Sequence, residues 1–414
     1  MSGTHIYTDW VAPQMMRLLV NQLEILDGFS FDYEKEYDHN FPVGEDIRIK
    51  EPWRAEVQDS LAWNPASIVR RNRTVSMDQV FSTQFIYDSL EAALKMERSK
   101  EDIKENILQP AQKQMAQEAD SRAALFAYQN TPTTLGAIGT NPTDINDFNS
   151  GRTRMFEYAG WDARKRKAIV SPQISQSVIT GTVRALFQPP DALSRAFKEG
   201  TIGRYAGFDW VESMSLYAHT TGAVASTFTV NGSAQAGTSL DVNCTSGDTW
   251  TVGDHISIAD VNGMNPMTHR TTNRARHFVV TAPVTATAAT ATLSIFPGIV
   301  GPGSAYQNVT ALPVTGATIT MTPGTSTPST AHTGVMNLLF TKNAFACVGG
   351  KLPMPKKGTK ELAEEYTDPR TGITISFIKD FATRERQFEN RMDTLMGFGV
   401  MWAEFCAARV ASAN

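Results

Sequence analysis

Apolar residues at Met15, Leu18, Leu19, Leu23 and Leu26 recur at the spacing of one helix face, and Asp27-Gly28 supplies a stop. Ile47 and Ile49 then alternate with charged residues. Val75, Met77, Val80, Phe81, Phe85 and Ile86 form a β-rich return, so Ile47–Tyr87 reads as a long β-hairpin with a polar tip. Ser99 with Asp102 three residues on opens a helix by the capping-box pattern. Pro110 breaks that helix or restarts it at a first-turn position, and Met115, Ala119, Arg122, Ala123 and Phe126 carry it on to Gln129. About twenty such residues make a rod on the order of 30 Å long. Gly151–Ala159 reads as a polar helix, Lys167–Ser171 as a buried strand, and Gln173–Thr182 as a helix behind Pro172. This alternation predicts an α+β fold.

The pattern changes sharply at Thr220. From there to Thr333 the chain has neither Lys nor Glu. Short β-rich runs (Ser226–Val230, Ser239–Val242, Trp250–Val252, His255–Ile258, His277–Val280, Ala291–Ile295, Ala317–Met321) alternate with Gly and Pro. Such spacing predicts a small all-β barrel or sandwich inserted into the α+β domain. Val335–Val348 returns to the earlier style, and Ile373–Ile378 and Leu395–Val410 read as closing strands. The expected division is an arm (1–40), a hairpin (41–88), a domain holding the long helix (89–135), a central α+β part (136–219), the inserted β-domain (220–334) and the remainder (335–414).

The chain has 414 residues, 41% of them apolar, enough for one large core or two to three ordinary domains. The formal charge of -4 includes no acidic or basic tail that would mark a nucleic-acid or membrane partner. Apolar stretches such as Leu395–Ala403 are too short to cross a bilayer, and Met1–Trp10 lacks the pattern of a signal peptide. Cys244, Cys347 and Cys406 lie far apart with no CxxC, which fits buried free thiols in a reducing cytoplasm.

Candidate chemistry is sparse. Gly349-Gly350-Lys351 is followed by Leu352, and Phe345 stands where a phosphate loop has its first glycine, so a turn is expected. Asp254-His255 and His269/His277 lack ligand spacing and read as surface or sheet-face histidines. No catalytic residue, cofactor or metal is assigned. Arg152, Arg154, Arg164, Lys165, Arg166 and Lys167 form a basic cluster, read as a solvated or inter-subunit ion-pair face with weak contact to DNA phosphates as a secondary role. The competing class is a binding module, with the Thr/Ala/Gly-rich β-domain as a carbohydrate or adhesin unit. An enzyme comes third.

Four segments carry a resemblance. They are Ala196–Val211 (AFKEGTIGRYAGFDWV), Gly136-Ala137-Ile138-Gly139-Thr140-Asn141, Ser171-Pro172-Gln173 and Gly253-Asp254-His255-Ile256-Ser257. In this order they resemble the major capsid (coat) proteins of short-tailed phages of the P22 type, a branch of the HK97 capsid fold. The resemblance implies an N-arm, an E-loop, a spine helix, peripheral and axial domains and an inserted all-β domain. It implies pentamers and hexamers of an icosahedral shell around double-stranded DNA, made in the host bacterial cytoplasm. Assembly would be guided by a scaffolding protein, with a portal protein as a further partner and no membrane. Maturation would proceed by expansion. In that reading Arg70, Arg71 and Arg73 on the hairpin meet carboxylates such as Asp32, Glu34 and Glu36 of an adjacent subunit, and Pro110 marks a bend in the spine helix. Thr220–Ser239 is shorter than the loop with which that family contacts a neighbouring capsomer. No lysine lies between Lys50 and Lys95, so the hairpin tip cannot supply the lysine that crosslinks some shells of this fold.

Overall fold

The computed structural model describes residues 12–17, 19–20, 23–32, 46–51, 54, 71–88, 108–159, 166–181, 203–225, 227–322, 330–354 and 362–413. They divide into two compact units.

The first unit comprises Met1–Lys50, Asn72–Ala123 and Ala346–Val400. Its main sheet is antiparallel, in the order Asp46–Lys50, Asn72–Asp88, Gln387–Val400, Thr374–Ala382, Leu362–Thr367. Alternation sets its faces: Phe81 is buried, whereas Val80 and Ile86 are exposed. The pairing of Asn72–Asp88 with Gln387–Val400 slips by one residue between Ser76 and Gln79, a bulge. Gly397 sits against it, where a Cβ would press to 2.7 Å from the Ser76 carbonyl oxygen. The helix Gln109–Gln129 buries Met115, Ala116, Ala119 and Ala123 at helical spacing. On it Asp120 accepts the Glu24 N–H at 2.8 Å and the Leu26 N–H at 3.1 Å, which pins the turn Leu26–Gly28. Gly349 and Gly350 lie in the strand Phe345–Gly350 rather than in a turn. The reason is close packing: a Cβ on Gly350 would come within 2.7 Å of the Leu395 side chain.

The second unit comprises Glu51–Arg71, Ala124–Phe345 and Met401–Asn414. It holds a mixed sheet in the order Thr134–Gly136, Ala407–Ala411, Thr333–Thr341, Arg166–Val170, Phe208–Glu212, Arg204–Tyr205. The helix Asn146–Glu157 covers this sheet, with Phe148 and Met155 packed on Ala168, Val170, Leu339, Ala408 and Val410. The segment Ala206-Gly207 turns the chain between the last two strands, and Ala206 adopts a left-handed φ of 54°.

The same unit holds a closed barrel, in the order His255–Met264, Thr271–Val280, Thr290–Ile299, Gly237–Asn243, Phe228–Val230, Thr318–Thr322 and back to the first. Its interior is apolar at every second position: Leu240 and Val242, Leu293 and Ile295, Phe278 and Val280. Closure removes the exposed edges that such Thr-rich strands would otherwise present. Each fully buried Leu, Ile or Phe here contributes about 1.5–3 kcal/mol, so the barrel has a core of its own.

Candidate functional site

The hairpin residues expected to reach a neighbour fall in different settings. Arg70, Glu34 and Glu36 lie outside the described residues. Arg73 stands in Asn72–Asp88 opposite Ile49. Asp32 accepts the Ser30 hydroxyl at 2.9 Å. Arg71 lies over the ring of Tyr306 of its own chain, 3.8 Å from the centroid. Arg54 lies over the same ring at 5.1 Å and over Phe405 at 5.0 Å. The Glu51 N–H donates to the Arg71 carbonyl at 2.9 Å, which continues the pairing of Asp46–Lys50 with Asn72–Asp88. Both guanidiniums are thus held on aromatic rings, Tyr306 and Phe405. Pro110 occupies the first turn of the described helix, and 89–107 lie outside the described residues.

The basic cluster is not one solvated face. Arg164 and Lys165 lie outside the described residues. Arg166 is buried and stacks on Phe156 at 4.4 Å. Arg154 turns toward the barrel, where its Nη1 lies 3.4 Å from His277 Nε2.

That contact belongs to a buried polar seam between the barrel and the sheet beneath it. The end of the long helix brings Tyr128, the link after it Thr131 and the strand Thr134–Gly136 its first residue; the closing strand brings Arg409; the strand Ala218–Thr220 brings His219. The barrel brings Gly253, Asp254, His255, Arg276 and His277. His219 Nε2–H donates to Asp254 Oδ1 at 2.8 Å, and its Nδ1 accepts the Tyr128 hydroxyl. Asp254 Oδ2 also accepts the N–H groups of Gly222 at 3.1 Å and Thr251 at 2.7 Å. His255 Nε2–H donates to the Thr131 carbonyl at 2.6 Å, which leaves Nδ1 to accept from Arg409. Arg409 also donates to the Gly253 carbonyl at 2.8 Å, and its guanidinium covers the Tyr128 ring at 4.9 Å. Arg276 donates to the Glu404 carbonyl at 3.3 Å and lies over Tyr158 at 4.3 Å. Burial is close to complete: His219 is 2%, Asp254 1%, His255 1% and Arg409 0% exposed.

His255 and His277 are therefore sheet-face residues, as expected, but buried rather than on the surface. Their rings point out of the barrel but into its docking face.

Burial decides how the seam titrates. It pushes His277 down to about 3, helped by the nearby guanidiniums of Arg154, Arg276 and Arg409. It holds His255 well below the usual imidazole range, with Arg409 as the second cause. His219 is lowered by burial, against its hydrogen bond to Asp254. Burial lowers Arg409 to about 10 and raises Tyr128. All three rings are thus neutral, and the tautomers of His219 and His255 follow from their neighbours.

Tyr128, His219 and Asp254 have the order of a proton relay, yet all three are buried, so their role is to hold two modules in register. Among the described residues, no group of three His, Cys, Asp or Glu is placed to hold a metal. No described helix is long and apolar enough to cross a membrane. Sequence reasoning singled out His255, His277 and Arg154 but missed Tyr128, His219 and Arg409. No local signal marked them, because their partners are distant in sequence.

Comparison with known proteins decides the family. A model described as "P22 coat protein - gene protein 5" matches residues 50–405. The chain belongs to the P22 coat protein family. Comparison with curated proteins gives no match. Among solved structures, a chain from "Mycobacterium phage Che8" is similar, with TM-score 0.47 and 12% identity over 94% of this chain and 91% of that one. The capsid of the cyanophage P-SCSP1u has TM-score 0.43 and 10% identity over 90% and 84%. The CUS-3 coat protein I-domain is 28% identical, covers 23% of this chain and 94% of its own, and has TM-score 0.19. This coat protein has the α+β, HK97-like capsid fold. It is the major capsid protein of an icosahedral phage shell, located in the virion, and a structural protein rather than an enzyme.

Proposed function

We propose that this coat protein closes its shell as pentamers and hexamers with the help of a scaffolding protein, around a portal, and that the shell matures by expansion without covalent crosslinks. The subunit is made in the host cytoplasm. The inserted domain, 220–334, serves as a stabilising module on the axial part of the subunit. The observation that carries this reading is the family match over residues 50–405. Two features support the finer steps. Arg54 and Arg71, which flank the hairpin tip expected from the sequence, are held on Tyr306 of their own subunit. The stretch between Lys50 and Lys95 has no lysine, so the tip lacks a crosslinking amine. Weak contact with packaged DNA falls to the exposed members of the basic cluster, such as Arg152.

Electron microscopy of the chain expressed alone and with its scaffolding protein tests this. Closed shells of uniform size only with the scaffold, and monomer-sized bands from mature particles in denaturing gels, are the expected results. Uniform shells without any scaffold, or ladders of linked subunits, would overturn the corresponding step.

A further inference from the structure

Four side-chain nitrogens in the seam have no acceptor among the described residues: Arg154 Nε, Arg276 Nε, Arg276 Nη1 and Arg409 Nη1. Arg276 is 1% and Arg409 0% exposed. The Arg154 guanidinium stands 3.4 Å from His277 Nε2, and the ring also feels the charges of Arg276 and Arg409. His277 cannot absorb the surplus. Its Nδ1 faces the Thr134 N–H at 3.4 Å and its Nε2 faces Arg154 Nη1 at 3.4 Å, while a neutral imidazole has one acceptor.

Carboxylates lie near, Asp254 acting on Arg409 and Glu157 on Arg154, but they do not take the orphaned donors. Asp254 is committed to His219, Gly222 and Thr251. Glu157 bridges Arg274 at 3.4 Å. Glu404 offers Arg276 its backbone carbonyl. Among the described residues, no salt bridge reaches Arg154, Arg276 or Arg409. Three guanidiniums share only two nearby carboxylates among the described residues, and their unmet donors make the burial costly. A group that accepts hydrogen bonds and carries negative charge answers both needs. A water that accepted two of these N–H groups would still have two hydrogens to place. Among the described residues the orphaned buried side-chain acceptors are Gln112 Oε1, which belongs to the other unit, and Thr341 Oγ1, which stands opposite Arg166 in the sheet.

We propose that Arg154, Arg276 and Arg409 hold a small inorganic anion (phosphate, sulfate or chloride) beside His277, as a structural ion that fixes the barrel to the sheet beneath it. The ion neutralises the guanidinium cluster and takes the four orphaned donors.

The test uses the full-length subunit, unfolded in urea and refolded in sodium gluconate, whose anion is too bulky for a buried site. Phosphate, sulfate and chloride are then titrated in at constant ionic strength while thermal unfolding is followed. A Tm that rises and saturates with at least one of them is expected, as mass action on the folded state requires. Arg276→Met should abolish that rise. If Arg276→Met does not fold, Arg154→Met serves, because Arg154 lies at the edge of the seam. A density map of the shell should show a peak within hydrogen-bond distance of Arg276 Nη1 and Arg409 Nη1. A Tm indifferent to all three anions, an equal rise in the variants, or a water-sized peak bonded to backbone carbonyls would each overturn the proposal.

Discussion

Arg409 on the closing strand donates to the carbonyl oxygen of Gly253, 2.8 Å away at the mouth of the barrel, 156 residues distant in sequence. The same side chain reaches His255 and the Thr134 hydroxyl. Each of these acceptors would be left buried and unpaired by Arg409→Met, at about 1–3 kcal/mol apiece. The expected result is a subunit destabilised by about 3 kcal/mol or more whose barrel still folds, since Leu240, Leu293 and Phe278 form a core without it. Hydrogen exchange is the check. Protection should persist in Thr290–Ile299 and fall in the seam. Loss of protection throughout the barrel would mean that it has no independent stability.

The seam makes a signed prediction about pH. His277 binds its proton at about 3 in the folded chain and near 6.5 when unfolded. The unfolded state therefore takes up protons first as pH falls. The stability that neutral His277 provides is complete above pH ~6.5 and drains away below it, by about 1.4 kcal/mol per pH unit. By pH 5 that is about 2 kcal/mol. His255 and His219, both lowered, act in the same direction. Urea midpoints measured from pH 8 to 5 should fall, and His277→Gln should flatten the slope. An unchanged slope in that variant would remove His277 from the account.

Asp120 in the other unit runs the opposite way. Burial raises its carboxyl to about 6, against hydrogen bonds from the backbone of Glu24, Leu26 and Ile25. The folded state here holds the proton more tightly than the unfolded one, so this group favours folding as pH falls toward 4 and penalises it above 6. Asp120→Asn keeps one acceptor and loses the other, so it should cost about 1–3 kcal/mol near pH 7. It should also cancel the acid-side gain contributed by this site. Calorimetry at pH 7 and pH 5 would show the gap between variant and parent widening at the lower pH.

How far these features were legible in sequence depends on what fixed them. The barrel showed itself because Leu240/Val242 and Leu293/Ile295 alternate with Thr, Ser and Asp, a local period that survives whatever surrounds it. The four-segment resemblance placed the chain in its family. The seam was not legible, because nothing local marks a histidine as buried. His255 is buried because Thr131, 124 residues earlier, offers its carbonyl. Arg71 was assigned outward for the same reason: its partner, Tyr306, lies in a barrel loop that no periodicity connects to the hairpin. Gly349-Gly350 was read as a turn, whereas close packing, of Gly349 against Gly372 and Ile373 and of Gly350 against Leu395, puts two glycines in a strand.

Gly253 offers a sharp steric test. Its φ is +96°, and a Cβ there would run into the Tyr128 hydroxyl. Gly253→Ala therefore combines a left-handed backbone, about 1–2 kcal/mol for an L-residue, with displacement of the ring that holds His219. Tyr128→Ala should relieve part of the second cost, so the double variant should be more stable than the sum of the singles predicts. Strict additivity in urea unfolding would show that Tyr128 does not set the spacing at this turn.

The aromatic root of the hairpin separates folding from assembly. Arg71 and Arg54 share the Tyr306 ring, and a stacked guanidinium of this kind is worth about 0.5–2 kcal/mol. Tyr306→Leu keeps most of the apolar contact but removes the ring. The subunit should then fold with a small loss of stability, while exchange in 51–71 rises and shells form slowly or irregularly. Arg70→Glu with Arg71→Glu changes both the root and the charge offered to a neighbour, and should impair assembly further. The comparison discriminates: if Tyr306→Leu assembles normally while the double charge reversal does not, the arginines act across the subunit boundary and the root is dispensable. If both fail alike, the angle of the hairpin is what the shell reads, and the barrel, through Tyr306, is the part that sets it.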